Sequence, residues 1–219
     1  MKQEFYKNSN LKKSCVIIAG GEVHEKIEIP ENAVIICADC GYHHAQAQGI
    51  IPDVIVGDFD SCQNSDKLPD HTEIIRLPVE KDVSDTWFAV QYAMTELHCT
   101  EFHVYGTCGG ERVDHMIANL QLLHYMGTQD LQTRFYYKNQ ILQLLKNSDF
   151  RFSGRDYPEF SVFALSKTCF VTISNVKYPL QDHKLKNTFP LGLSNCCDEN
   201  SFPEISVRDG IVLLVLTKK

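Results

Sequence analysis

The stretch Gly57-Asp58-Phe59-Asp60-Ser61 places two carboxylates two residues apart, directly after the apolar run Val54-Ile55-Val56. In an extended chain alternate residues share a face, so Asp58 and Asp60 project together. Side-by-side carboxylates repel unless a cation lies between them, and Mg²⁺ takes oxygen ligands of this kind. A second group is Lys81-Asp82-Val83-Ser84-Asp85. Carboxylates at a helix start complement the dipole, so Asp82 and Asp85 also suit plain capping. Lys81 opposes the dipole, which suits a phosphate-holding role. The third group is Gly109-Gly110-Glu111-Arg112-Val113-Asp114-His115. Glycines in a strand-to-helix loop let backbone amides face an anion. Arg112 adds a bidentate fork for phosphate oxygens. The spacing is not that of a P-loop, and Gly20-Gly21 is not a dinucleotide fingerprint.

Short apolar runs lead into each group. Residues 14–19, 33–38, 54–56, 73–77 and 101–105 read as strands. The second run ends at Asp39-Cys40-Gly41, placing another carboxylate at a strand end. Helix-compatible stretches follow: 42–48, 85–98 with Ser84 or Asp82 as N-cap, and one through Ile117, Leu120 and Leu123 ended by Gly127. Strand, loop and helix in repetition predict a mainly parallel, Rossmann-like sheet flanked by helices. In such a sheet the strand ends share one edge. Asp39, Asp58 and Asp60, Lys81 to Asp85, and Gly109 to His115 would then gather there, which folding alone does not explain.

After residue 133 the pattern changes to short β-rich runs separated by turn signals, with no helix. Asp209-Gly210, between 205–207 and 211–216, reads as a hairpin. The chain is therefore expected to hold an α/β domain over 1–135 and a smaller all-β, sandwich-like domain over 136–219, closely packed.

Composition narrows the partners. The net charge is −7 and no Lys/Arg run occurs, so nucleic acid is not expected. No stretch reaches the length of a membrane span. Nine cysteines lack metal-ligand or secretory spacing, and residues 1–13 lack an apolar signal core. The expected compartment is the cytoplasm, with free thiols.

In order and spacing these pieces resemble the thiamine pyrophosphokinase family nearly end to end. The carrying residues are Ala38-Asp39-Cys40-Gly41, Gly49-Ile50-Ile51-Pro52-Asp53, Gly57 to Ser61, Lys81 to Asp85, Gly109 to His115, Val176-Lys177-Tyr178-Pro179-Leu180 and Leu193-Ser194-Asn195. The resemblance implies an enzyme in which the hydroxyl of thiamine attacks the β-phosphorus of ATP, so that thiamine diphosphate forms and AMP leaves. It implies Mg²⁺ on Asp58, Asp60 and Asp85, with ATP held by Asp39, Lys81, Gly109, Gly110 and Arg112. Thiamine would stack on Tyr178 and hydrogen-bond Ser194 and Asn195. Asp82, Asp114 and His115 are all candidates to orient or deprotonate the hydroxyl, with Arg112 stabilising charge in transfer. A homodimer with active sites between subunits is also implied. Another acceptor on the same scaffold, or a nucleotide- or thiamine-binding sensor, are the competing readings. Two departures stand out. Cys40 occupies a usual glycine position, where a positive φ would strain it, and Tyr178 replaces a common Trp.

Overall fold

The computed structural model describes residues 13–58, 71–110 and 112–219. The α/β portion comprises β1 (Ser14–Ile18), β2 (Val34–Ala38), α1 (Gly41–Ala47), β3 (Val54–Gly57), β4 (Glu73–Arg76), α2 (Asp85–Thr95), β5 (Glu101–Tyr105), α3 (Val113–Thr128) and β6 (Gln132–Tyr137). The remainder is β7 (Gln140–Lys146), β8 (Asp149–Arg151), β9 (Glu159–Ala164), β10 (Thr168–Ser174), β11 (Leu180–Lys186), β12 (Gly192–Cys196), β13 (Glu204–Arg208) and β14 (Ile211–Thr217). The fold is mixed α/β, with three helices among the described residues. None is long and apolar enough to cross a membrane.

One large sheet carries ten strands in the order β12-β9-β14-β7-β6-β5-β1-β2-β3-β4. From β6 to β4 every neighbour is parallel. Strands β1, β2 and β3 are apolar along nearly their whole length, as strands covered on both faces must be, while β5 carries Glu101 and the buried His103 among its apolar residues. Ala89, Val90 and Ala93 of α2 pack with Leu122, Leu123 and Met126 of α3 in one core over this sheet. Tyr42 and Ala45 of α1 join a second core with Val16, Ile18, Ile55 and Tyr105. Alternate residues of β1 thus feed different cores.

The β-rich half is present, but one of its layers is the continuation of the large sheet. The two-residue Lys138-Asn139 hairpin turns β6 back into β7, and β14, β9 and β12 follow antiparallel. The other layer is a four-stranded sheet, β11-β10-β13-β8. The inward residues of both, such as Phe160, Val162 and Leu214 against Val171, Ile173 and Val207, form a third core.

Two sequence expectations change. Asp209-Gly210 is a turn but not a hairpin, because β13 pairs with β10 and β8 whereas β14 pairs with β7 and β9. The chain changes layers there. A Cβ on Gly210 would stand 2.7 Å from the Cβ of Cys169, so this glycine serves a close approach of two layers. Gly127 does not end α3, which runs to Thr128. A Cβ there would meet Leu144 Cδ1 at 2.3 Å, so the helix needs glycine to press onto β7.

Candidate active site

In a parallel sheet the carboxyl ends of the strands share one edge, and ligands bind where the strand order reverses. Here β1 has β2 on one side and β5 on the other, so the connections leaving β1 and β5 part around a crevice. Gly20-Gly21 follows β1, Asp39 follows β2, Asp58 follows β3 and Gly106 to Gly110 follow β5.

Asp39 extends the β2–β3 pairing, its N–H donating to the Val56 carbonyl at 2.8 Å. Its Cα would lie 3.1 Å from a Cβ on Gly57, which sets it beside Asp58. Asp39 takes the left-handed φ of 49°, which Asp tolerates better than most residues. Cys40 has φ −64° and ψ −4°, ordinary right-handed values. The strain expected at Cys40 is therefore absent, because the chain makes its left-handed step one residue earlier.

Ser84 is the N-cap of α2, its Oγ accepting the Trp87 N–H at 3.2 Å. The capped first turn presents Asp85 toward Lys81. Lys81 Nζ donates to Asp58 Oδ2 at 2.6 Å and lies 3.1 Å from Asp85 Oδ1. All three side chains are largely buried, with 11–18% exposure. Burial works against the Lys81 charge, but the hydrogen bond to Asp58 and the ion pair with Asp85 outweigh it and raise its pKa. Burial pushes the Asp85 carboxyl up; Lys81 pulls it down, while Asp58 and Asp39 push it up again. The Asp85 contact is an ion pair without good hydrogen-bond direction, and among the described residues the buried Asp85 Oδ1 has no hydrogen-bond donor.

That orphaned oxygen and the two carboxylates converging on one ammonium fit a small hard cation. Mg²⁺ commonly takes one or two protein carboxylates and completes its shell with phosphate and water. Among the described residues no group of three His, Cys, Asp or Glu side chains is arranged to hold a metal. Asp60, the third expected ligand, lies outside the described residues.

The remaining expected residues sit apart from this group. Asp82 is exposed and takes no part in the Lys81 ion pairs. Arg112 grips Asp114 through two hydrogen bonds, Nε at 2.9 Å and a terminal nitrogen at 2.6 Å, on an exposed surface. The guanidinium holds the Asp114 carboxyl down to about 2. His115, in the first turn of α3, is exposed. Gly109 and Gly110 have φ of 76° and 81°, two consecutive left-handed residues suited to turning amides toward one point.

The sequence reading missed the supports of this loop. Asn119 Nδ2 donates to the Thr107 carbonyl at 2.8 Å. Glu22 Oε2 accepts from the Tyr137 hydroxyl at 3.3 Å, and both crowd Gly109. Nothing in the spacing of Glu22, Asn119 and Tyr137 announces this; only the strand order brings β1 and β6 to flank β5.

Tyr178, Ser194 and Asn195 lie at the other end of the molecule. Tyr178 is exposed, with Lys177 Nζ 5.3 Å from its ring centre. Asn195 is buried and clamps Tyr178: its Nδ2 donates to the Tyr178 carbonyl at 2.8 Å, and its Oδ1 accepts the Tyr178 N–H at 3.2 Å. Oδ1 also accepts the Cys196 N–H at 2.9 Å. Ser194 is exposed with φ 57°. Strand β12, which carries Ser194 and Asn195, is eight strands away from β3. At about 4.8 Å per strand that is roughly 38 Å along the sheet.

Comparison with known proteins identifies the family. A family model described as "Thiamin pyrophosphokinase, catalytic domain" matches residues 27–135. A second, "Thiamin pyrophosphokinase, vitamin B1 binding domain", matches residues 147–212. The thiamine pyrophosphokinase of Bacillus subtilis (strain 168) is 26% identical over 84% of this chain and 89% of its own. Solved structures share the fold. The thiamine pyrophosphokinase of Bacillus subtilis superposes with a TM-score of 0.81 at 23% identity, over 94% of this chain and 100% of that one. A thiamin pyrophosphokinase family protein from Enterococcus faecalis gives 0.80 at 24%, over 95% and 100%. The thiamin pyrophosphokinase of Candida albicans gives 0.74 at 18%, over 94% and 90%. With the two halves of one enzyme family matched in order along most of its length, the chain belongs to the thiamin pyrophosphokinase family.

Proposed function

We propose that this protein transfers the pyrophosphoryl group of ATP to the hydroxyl of thiamine, giving thiamine diphosphate and AMP. The observation that carries this reading is the ordered match of both halves of the chain to the catalytic and vitamin-B1-binding domains of one family. The second match favours thiamine over another acceptor.

Transfer of this kind needs positioning and charge neutralisation more than covalent chemistry by the protein. Asp58, Asp60 and Asp85 are assigned to Mg²⁺, which when bound neutralises polyphosphate charge. Lys81, already held at the carboxylates, would donate to the phosphate oxygens whose charge grows in transfer. The Gly109 and Gly110 amides would cradle the same chain of phosphates, with Asp39 on the nucleotide side. Arg112 would exchange Asp114 for a phosphate oxygen, since its present pair is exposed. The exchange would also release the Asp114 carboxyl from the guanidinium that now holds its pKa down. Asp82, Asp114 and His115 are the candidates for orienting or deprotonating the hydroxyl.

Thiamine is cationic, and the Tyr178 ring already faces an ammonium, that of Lys177. Tyr178 would stack on it, with Ser194 beside it and Asn195 fixing the Tyr178 backbone. The separation of roughly 38 Å between β12 and β3 argues against one chain joining both halves of the site. A homodimer with active sites between subunits resolves this. The exposed Val113 and Ile117 on α3, and Phe189, Leu191 and Leu193 around β12, give it apolar surface to cover. A Rossmann-like α/β domain over 1–135 and a thiamine-binding β domain over 136–219 belong to the same reading, supported by the reversal of strand direction at the β6–β7 hairpin. The cytoplasm is the expected compartment on cysteine usage.

The test is product identity. Purified protein with ATP, Mg²⁺ and thiamine should yield AMP and thiamine diphosphate in equal amounts. ADP as the nucleotide product would overturn the proposal. Mixed dimers of Lys81→Ala and Tyr178→Ala subunits, assayed at thiamine well below its KM, should show activity above that of either parent; verified heterodimers without that gain would contradict the shared site.

A further inference from the structure

Gly109 and Gly110 must hold two consecutive left-handed conformations if their amides are to meet phosphates. Glycine reaches such conformations easily but leaves them as easily. Something outside the loop therefore has to fix it. Two side chains are placed to do so. A Cβ on Gly109 would stand 2.6 Å and 2.7 Å from Cε2 and the hydroxyl of Tyr137, and 2.8 Å from Glu22 Oε2. The Tyr137 hydroxyl donates to Glu22 Oε2 at 3.3 Å. His24 Nε2 lies 2.8 Å from the same oxygen.

Glu22 comes from the loop after β1 and Tyr137 from the last position of β6, so they close on the β5 loop from both neighbouring strands. We infer that Glu22 and Tyr137 form a clamp that pre-orders the Gly109-Gly110 loop for the polyphosphate, Glu22 acting as a positioning residue for the nucleotide rather than for thiamine. This rests on the reading of that loop as the phosphate cradle. A carboxylate near an anion site would otherwise be unfavourable. Here its charge is turned to Tyr137 and His24. The ordering cost of the loop is then met during folding rather than on binding.

The competing role is distinct: a carboxylate standing in for phosphate, which ATP must displace. Glu22→Ala and Glu22→Gln separate the two. Glu22 is 42% exposed, so neither variant should lower thermal stability measurably. The clamp requires Glu22→Ala to weaken ATP binding by about tenfold with thiamine binding unchanged, and Glu22→Gln, which keeps an acceptor, to recover part of the loss. Tighter or unchanged ATP binding in Glu22→Ala would overturn it. Exchange of the Gly109 and Gly110 amides, read by ¹⁵N-glycine labelling, gives a measure independent of turnover. It should quicken several-fold in Glu22→Ala and in Tyr137→Ala. Equal exchange in wild type and variants would also overturn the clamp. A wild type that makes no thiamine diphosphate would defeat the functional reading, while the exchange comparison would still decide the clamp.

Discussion

Lys81 Nζ and Asp58 Oδ2 meet at 2.6 Å, joining the approach to α2 to the end of β3. The contact places a cation among carboxylates that would otherwise repel. Lys81→Met should therefore cost both function and stability. Turnover should fall by about a hundredfold or more through loss of a donor to the phosphates. Unfolding free energy should fall by about 1–3 kcal/mol because Asp58 and Asp85 lose their counter-charge. Mg²⁺ added without substrates should raise the thermal midpoint of Lys81→Met more than that of wild type. If Mg²⁺ stabilises neither protein, these carboxylates do not form a divalent site.

Tyr178 and Asn195 should separate in their effects. Tyr178→Ala should raise the KM for thiamine about tenfold and leave that for ATP unchanged, the expected size of a lost cation–aromatic contact. Asn195→Ala should share the thiamine defect and also destabilise the protein by about 1–3 kcal/mol, since it strands the Tyr178 N–H and carbonyl. Steady-state kinetics and urea denaturation on the same preparations check both. Equal stability of the two variants would contradict the clamping role of Asn195.

His103 sets a pH dependence away from the site. It is buried on β5, with Nδ1 2.9 Å from the Tyr136 hydroxyl. Burial pushes its pKa below the usual 6.5, against a smaller upward pull from Glu101. Below pH 6.5 the unfolded chain therefore binds a proton that the folded protein refuses, and stability falls with pH. The contribution is complete above 6.5 and is lost as pH drops toward the lowered value. Thermal midpoints at pH 7.5 and 5.5 should fall further apart for wild type than for His103→Gln. An equal fall in both would show that His103 titrates normally.

Cys40→Gly should relieve nothing. Cys40 already has a right-handed backbone, and the left-handed step belongs to Asp39. The substitution should leave activity unchanged and lower stability by no more than about 1 kcal/mol through added backbone freedom. Asp39→Ala should be worse than Asp39→Asn in stability, because Asn tolerates the left-handed region and Ala does not. Chemical denaturation of the three variants checks the ranking; a stabilising Cys40→Gly would contradict it.

Much of the α/β half was legible because its strands are short, apolar and followed by glycine or aspartate, so their ends and the residues on them could be read directly. The ten-strand order was not. It depends on pairings between residues far apart, such as Glu101 with Gln132 and Val212 with Ala164, which no local pattern encodes. Strand β11 was missed because it has little alternation to show. Of its seven residues only Leu185 is buried and Leu180 half-buried, the other five being exposed. Asp209-Gly210 misled because turn chemistry records a reversal, not which sheet each strand joins. Within the site, the acids and Lys81 were visible as types at strand ends. That Lys81 bridges Asp58 and Asp85, and that Arg112 instead grips Asp114, depends on side-chain geometry. Glu22 and Tyr137 were invisible for the same reason as the strand order.

The central claim is that one step moves two phosphates together, with the thiamine hydroxyl attacking the β-phosphorus. ATP labelled with ³²P at the β-position tests it directly. With Mg²⁺ and thiamine, the β-label should pass into thiamine diphosphate while unlabelled AMP accumulates in equal amount. Retention of the β-label in ADP, with thiamine monophosphate as product, would contradict the account.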